Sequence, residues 1–292
     1  MHDCASSGAR QRPYLLLALS SGLLLWPLLA SGVCGQETSD DAPPPPSRPP
    51  LTVRELAKEA LNPFAESIKV PVESVTGFRI GSHRHTGESV NIEPVVPFAA
   101  GPDWNVIAQP LLAMTSLPGP DATTGLDDMQ LSVFLTPTRT GSWVWGLGPI
   151  VELPTASDRQ LGTGKWSAGP TGAVVYSNGP WLNGILVSHL ASFAGNRHRG
   201  DVNLTSFEPQ VSYTFENGWS VQTSPTISYD WTADSSNAWT LPLGADVGTS
   251  FTVGAQAMSV QVGAYDLVKH PDGDPEAIVR VQVTFLFPSG EH

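Results

Sequence analysis

Four short strings in this 292-residue chain carry residue types that could do chemistry. His83-Arg84-His85 could bind a metal, but it reads more simply as a solvated loop. Asp272-Gly273-Asp274 resembles a fragment of a calcium loop without the distal Glu that such a loop needs, so it reads as a polar turn; calcium bridging lipopolysaccharide is the competing assignment. Gly162-Thr163-Gly164-Lys165 has neither the upstream glycine nor the following Ser/Thr of a phosphate-binding loop. Ser188-His189 is the one tempting nucleophile and base, yet neighbouring residues on a strand point to opposite faces and cannot form a dyad. His189 would need a partner from another strand. No metal ligand, cofactor or catalytic residue is assigned, and the chain is not read as an enzyme.

A larger polar group is placed by alternation rather than by motif. Glu93, Asn105, Gln109, Gln130, Glu152, Glu208, Gln210, Gln222, Asp246, Arg280 and Gln282 fall on the wet side of stretches whose alternate residues are apolar. If those stretches close into a tube, these side chains line its lumen, where they either fill and hydrogen-bond a narrow interior or select what passes. The carboxylates Glu93, Glu152, Glu208 and Asp246 outnumber Arg280 in that set, which predicts cation preference if the tube conducts.

The elements that must hold these residues are clearest between Leu204 and Trp231. Phe207, Val211, Tyr213 and Phe215 alternate with Ser206, Glu208, Gln210, Ser212 and Thr214, the period of a strand with one oily and one wet face. Asn217-Gly218 suits the positive φ of a tight hairpin. Beyond it Trp219, Val221, Ile227 and Tyr229 alternate with small polar residues. Each arm is roughly 11 residues long, enough for a tilted strand to cross a bilayer.

Composition agrees with a chain of strands and turns. It has 28 Gly, 27 Pro, only 14% charged residues and a net charge of -12, which also argues against a nucleic-acid partner. Tyr14 to Ala30, preceded by Arg10 and Arg12, reads as a secretory signal peptide over residues 1–35. Removing it takes away Cys4 and Cys34 and leaves no thiol chemistry; a lipid anchor on Cys34 is the competing reading. No later apolar run could span a membrane as a helix, so any crossing must be made by a closed barrel.

Residues 36–50 read as a disordered Pro-rich leader, and residues 51–73 as a short amphipathic helix with a linker. Thr52 and Glu55 form a capping box, and Asn62-Pro63 ends the helix. We expect it against the periplasmic rim or the membrane surface, with a plug in the barrel mouth as the alternative. From 74 to 288 the chain reads as strands: Ser74 to Gly81, Ser89 to Phe98, Trp104 to Met114, Leu126 to Thr136, Trp143 to Leu153, Lys165 to Tyr176, Trp181 to Phe193, Asn203 to Phe215, Trp219 to Asp230, Ala238 to Val247, Phe251 to Tyr265 and Glu276 to Phe287. Short turns, including Gly248 to Ser250, alternate with longer polar loops, as periplasmic turns alternate with extracellular loops in outer-membrane barrels.

Aromatic residues sort to the strand ends. Phe98, Trp104, Trp143, Tyr176, Trp181, Phe215, Trp219, Phe251 and Phe287 flank the short turns, while Trp166, Tyr229, Trp231, Trp239 and Tyr265 flank the long loops. Two such groups predict two aromatic girdles. Prolines at 94, 97, 110, 149, 170, 209, 225 and 242 fall inside the predicted strands, where each removes a ladder hydrogen bond. Bulges or register ends must accommodate them.

Several strings together resemble one family. Asn91-Ile92-Glu93-Pro94-Val95-Val96-Pro97-Phe98, Asp103-Trp104-Asn105-Val106-Ile107, Gly146-Leu147-Gly148-Pro149, Leu161 to Pro170, Glu208-Pro209-Gln210-Val211-Ser212-Tyr213 and Trp239 to Gly244 are similar to the outer-membrane transporter family associated with the meta-pathway of phenol degradation. Gly125-Leu126-Asp127-Asp128 and Gln109 depart from its pattern. The resemblance implies a barrel and transport; it names no substrate and no catalytic residue.

The sequence therefore predicts an all-β protein: a transmembrane, antiparallel, up-and-down β-barrel of about 12 strands with a short N-terminal helix. We place it in the bacterial outer membrane, in contact with membrane lipid and lipopolysaccharide. We expect passive passage of a small solute, aromatic or apolar, through a narrow or plugged lumen. A barrel hydrolase, and a structural or adhesion barrel with a filled lumen, stay open as alternatives.

Overall fold

The structure, a computed structural model, describes residues 51–65, 67–138 and 141–287. The predicted signal peptide, the leader, Cys4 and Cys34 lie outside the described residues. A helix, α1 (Val53–Leu61), precedes β1 (Ile68–Ile80), β2 (His85–Ile92), β3 (Val96–Ala99), β4 (Trp104–Leu117), β5 (Thr123–Leu126), β6 (Met129–Pro137), β7 (Trp143–Leu153), β8 (Lys165–Asn178), β9 (Trp181–Gly195), β10 (Asn203–Thr214), β11 (Trp219–Thr223), β12 (Ile227–Asp230), β13 (Trp239–Val253), β14 (Gln256–Lys269) and β15 (Ala277–Phe287). The pairs β2/β3, β5/β6 and β11/β12 are each one interrupted stave. The segments thus make a closed antiparallel barrel of 12 staves. β1 completes the ring by pairing with β15, from Ile68 opposite Phe287 to Phe78 opposite Ala277.

Burial is inverted relative to a water-soluble protein. Ser89, Thr115, Ser167, Thr214 and Thr284 are buried, while Leu147, Trp143, Val253 and Leu243 are exposed. Alternation places the small polar side chains inside and the apolar ones outside, which is stable only when the outside is lipid.

Two predicted boundaries are corrected. The first strand begins at Ile68 rather than Ser74, because Val70 and Val72 continue the outward alternation and Pro71 is accommodated opposite Thr284. The turn expected at Gly248 to Ser250 lies inside β13, and the chain reverses at Gly254-Ala255. Gly248 has the composition of a turn but serves packing: a Cβ there would come within 2.6 Å of the Gln261 side chain. The hairpin at Asn217-Gly218 forms as read, with Gly218 at φ +84° and Phe215 N–H donating to Trp219 O at 2.8 Å.

The prolines collect where the ladders are interrupted. Pro94 and Pro225 occupy the breaks between β2 and β3 and between β11 and β12. Pro110 on β4 lies opposite the first break, since β2 stops pairing at Leu112 and β3 starts at Ala108. Pro209 on β10 faces the second. Pro149 and Pro170 lie opposite each other on β7 and β8. Their preceding glycines, Gly148 and Gly169, admit the carbonyls of Val133 and His189 at distances that a Cβ would occupy. Pro242 marks the register shift in β13. At these positions a missing N–H costs little, because the ladder is already open or shifted.

Candidate functional site

The mouth with the short turns, the periplasmic one in this class of barrel, is crossed by residues 51–65. Thr52 and Glu55 form both arms of the capping box, and the hydrogen bond from the Thr52 backbone N–H holds the Glu55 carboxyl below its ordinary range. The helix buries Leu56, Ala57 and Leu61. Its base is tied to the turns: Lys58 Nζ donates to Gly179 O at 3.0 Å, and Arg54 lies 3.8 Å from Glu216. Gln210 Nε2 donates to Leu61 O at 3.1 Å, Gln109 Nε2 reaches Pro63 O at 3.5 Å, and Lys69 Nζ donates to Asn62 O.

This segment bridges opposite walls. α1 packs on the wall made by β10, β11, β13 and β14. Phe64, just beyond it, enters a cluster on the other wall formed by Val95, Ile107, Phe134, Ala173, Val175 and Leu182. The rings of Phe64 and Phe134 meet edge to face at 5.7 Å. The helix was expected at the rim or on the membrane surface, with a plug in the mouth as the alternative; it lies across the mouth, where Leu56, Ala57, Leu61 and Phe64 are buried.

Above the segment lies a cavity of about 170 Å³ whose lining includes Leu61, Lys69, Glu93, Glu208, Gln210, Gln222, Gln261 and Gln282. One side is braced by a charged cluster. Arg280 Nε donates to Asp246 Oδ1 at 2.6 Å and its Nη2 to Asp246 Oδ2 at 2.6 Å, to Tyr265 Oη at 2.8 Å and to Ser224 Oγ at 2.8 Å. Tyr265 donates in turn to Asp246 Oδ2 at 2.5 Å. Ser224 N–H, freed by the break after β11, donates to Tyr265 Oη at 3.2 Å. Gly263 leaves room for the carboxylate, since a Cβ there would lie 1.9 Å from Asp246 Oδ1. Glu73 stands 4.0 Å from Arg280 and accepts from Asn91 Nδ2 at 3.2 Å.

At the opposite mouth residues 154–164 fold inward. Asp128 accepts hydrogen bonds from Ala156 N, Thr163 N and Thr163 Oγ1, and the same Thr163 hydroxyl lies 3.2 Å from Glu152 Oε1. Leu161 in that loop is fully buried. Lys165 Nζ meets Asp201 at 2.8 Å, and Arg199 donates to the carbonyls of Gly162 and Thr163. The glycine-rich string is therefore loop geometry.

Of the polar residues placed by alternation, Glu93, Glu208, Gln210, Gln222 and Gln282 line the cavity, and Asp246 and Arg280 lie behind its lining residue Ser224. Gln130 donates to Glu152 at 3.1 Å nearer the far mouth. Gln109 holds the crossing segment, and half-buried Asn105 shares its strand face. Lys69, Glu73, Tyr265, Ser224 and Phe64 were not among them. Lys69 and Glu73 lay outside the predicted first strand, and Phe64 follows Asn62-Pro63, where the predicted helix ends.

Most of the aromatic positions stand at the outer strand ends, in ring contacts that are edge-on for Trp104 with Trp145 and Tyr229 with Trp239 and tilted for Trp143 with Tyr176. Phe98, Trp181, Phe215, Trp219, Phe287, Trp166 and Trp231 are exposed, and Phe251 is half-buried. Tyr265 is the correction. It is 3% exposed and points inward, because it shares a face with Gln261 and Gly263 once the turn moves to Gly254-Ala255. Ser188 and His189 do point apart. His189 Nδ1 lies 2.9 Å from Thr205 Oγ1 on the outer face, and the same oxygen accepts from Trp231 Nε1.

Among the described residues no group of His, Cys, Asp or Glu is arranged to hold a metal ion.

The closed ring, the apolar outer band and the polar interior decide the class. The chain is a transmembrane barrel of the bacterial outer-membrane type. No protein-family model and no curated protein matches it, so the resemblance to the phenol-pathway transporters rests on the strings quoted above. Among solved structures, an outer-membrane channel of Pseudomonas putida F1 superposes with a TM-score of 0.58 at 14% identity, over 76% of this chain and 95% of that one. The NanC porin gives 0.47 at 12% identity over 75% and 98%, and the Escherichia coli outer membrane phospholipase A gives 0.44 at 14% over 80% and 98%. At these identities the likeness is one of fold.

Proposed function

We propose that this barrel is a passive outer-membrane channel for small solutes, closed at rest by residues 51–65. The observation that carries the reading is the contrast between wall and closure. The wall is a continuous hydrogen-bonded ring, whereas the crossing segment is held by side-chain contacts to a few carbonyls and one apolar cluster. The interior also suits water. Ser89 Oγ, Thr136 Oγ1, Thr214 Oγ1, Gln222 Oε1 and Ser250 Oγ are buried without a protein hydrogen-bond partner, and buried groups of that kind require solvent. The lumen-lining role of Glu93, Asn105, Gln109, Gln130, Glu152, Glu208, Gln210, Gln222, Asp246, Arg280 and Gln282 belongs to this proposal.

Charge sets the preference of the path. Asp246 neutralises Arg280, and of the charged groups lining the cavity Glu93 and Glu208 outnumber Lys69. Cations are favoured. Liposomes carrying the protein without residues 51–65 should swell in small neutral solutes, and their reversal potentials in a salt gradient should report cation selectivity that weakens in Glu93→Gln/Glu208→Gln. Absence of swelling would favour a filled structural barrel; anion selectivity would overturn the charge assignment alone.

A further inference from the structure

The cavity above the crossing segment is lined by apolar side chains, Leu61, Val175 and Leu186 among them, and by a polar set in which acceptors prevail. Lys69 and Gln210 spend donors on the carbonyls of Asn62 and Leu61, Gln222 donates to Gln261 Oε1, and Gln282 donates to Thr284 Oγ1 at 3.0 Å. Glu93 and Glu208 have nothing comparable. Among the described residues neither carboxylate accepts a hydrogen bond, and the two repel each other. Glu93 lies in the gap between β2 and β3 and is exposed within the lumen.

Gln222 adds an independent requirement. Its side chain is 8% exposed, lies on the same lining and leaves Oε1 without a hydrogen-bond partner. Buried oxygens in that condition call for a donor.

Charge and space narrow what can supply it. The lining carries two carboxylates against one ammonium, which favours a cation. About 170 Å³ is far more than a single water needs, and apolar side chains offer nothing to a bare ion. An organic cation with several N–H groups meets each condition. Its head donates charge-assisted hydrogen bonds to the carboxylates and to the Gln222 oxygen, and a short carbon body lies on Leu61, Val175 and Leu186.

We propose that this cavity is a binding site for a small primary alkylammonium ion, held by Glu93 and Glu208 with Gln222 as the third acceptor. The proposal rests on the channel reading and gives the path a solute class. Three donors on the ammonium match three acceptor groups, whereas a quaternary ammonium of the same charge offers none.

Calorimetric titration of the mature protein in detergent micelles tests this with butylammonium as probe. Saturable binding is expected, with tetramethylammonium at least tenfold weaker and 1-butanol showing nothing above micelle partitioning. Glu93→Gln and Glu208→Gln should each weaken butylammonium about tenfold, the loss of one charge-assisted hydrogen bond, and the double variant should abolish binding. Heat-modifiable migration on a gel checks that each variant is a folded barrel. The protein lacking residues 51–65, titrated alongside, removes any obstruction by the closure. Equal affinity for the two ammonium ions, unchanged binding by the folded double variant, or no saturable binding by either length of the protein overturns the proposal. Conductance of the deletion decides the channel reading separately. A conducting deletion with no ammonium site sinks this inference alone, whereas ammonium binding by a barrel that never conducts sinks the channel reading and leaves the site standing.

Discussion

Asp246 and Arg280 illustrate how single residues hold this lumen in shape. The carboxylate is 1% exposed and the guanidinium makes two bonds of 2.6 Å to it, so loss of Asp246 strands a buried cation. Asp246→Ala should cost about 3 kcal/mol, the low end for a broken buried pair, because Glu73 remains 4.0 Å from Arg280. Gly263→Ala should also destabilise, since its Cβ would meet Asp246 Oδ1 at 1.9 Å. If the glycine exists to admit the carboxylate, Asp246→Ala/Gly263→Ala loses little more than Asp246→Ala alone. Urea unfolding in lipid vesicles measures all three, and additive losses would remove Gly263 from the cluster.

Among elements, α1 carries the weakest interactions that matter. Its capping box is exposed and local, so Thr52→Ala should cost about 1 kcal/mol of helix stability while leaving the barrel's heat-modifiable migration unchanged. More frequent brief openings in bilayer recordings are the expected consequence; an unchanged closed state would mean that Phe64 alone holds the segment. The helix itself was legible from Thr52, Glu55 and Asn62-Pro63, because capping is local chemistry. Its place was not. That depends on Phe64 meeting residues of β4, β6, β8 and β9, contacts that local pattern does not encode. Strands with clean alternation were read to the residue, as with Trp143–Leu153. Errors fell where small residues blur the period: at Gly248-Thr249-Ser250, which continues β13, and consequently at Tyr265, whose face depends on that register. The prolines made sense only once pairing was known, since Pro110 and Pro209 are tolerated because of gaps in neighbouring staves.

At the scale of the whole molecule, a ring of 12 staves is too narrow for a wide pore and too wide to be filled by its own side chains. The remaining space is divided among the Arg280 cluster, the inward loop 154–164 and residues 51–65. Only the last precedes the ring's first strand, so its departure breaks none of the ladder's hydrogen bonds and only the few that tie it to Lys69, Gln109, Gly179 and Gln210. A passive channel therefore requires the closure to be removable. Single-channel recording in planar bilayers, comparing the mature protein with one lacking residues 51–65, tests this most directly. A closed or barely conducting protein with residues 51–65 present, and steady, cation-preferring currents from the deletion, are the expected results. Equal currents from the two proteins, or none from a deletion that still migrates as a folded barrel, would contradict it.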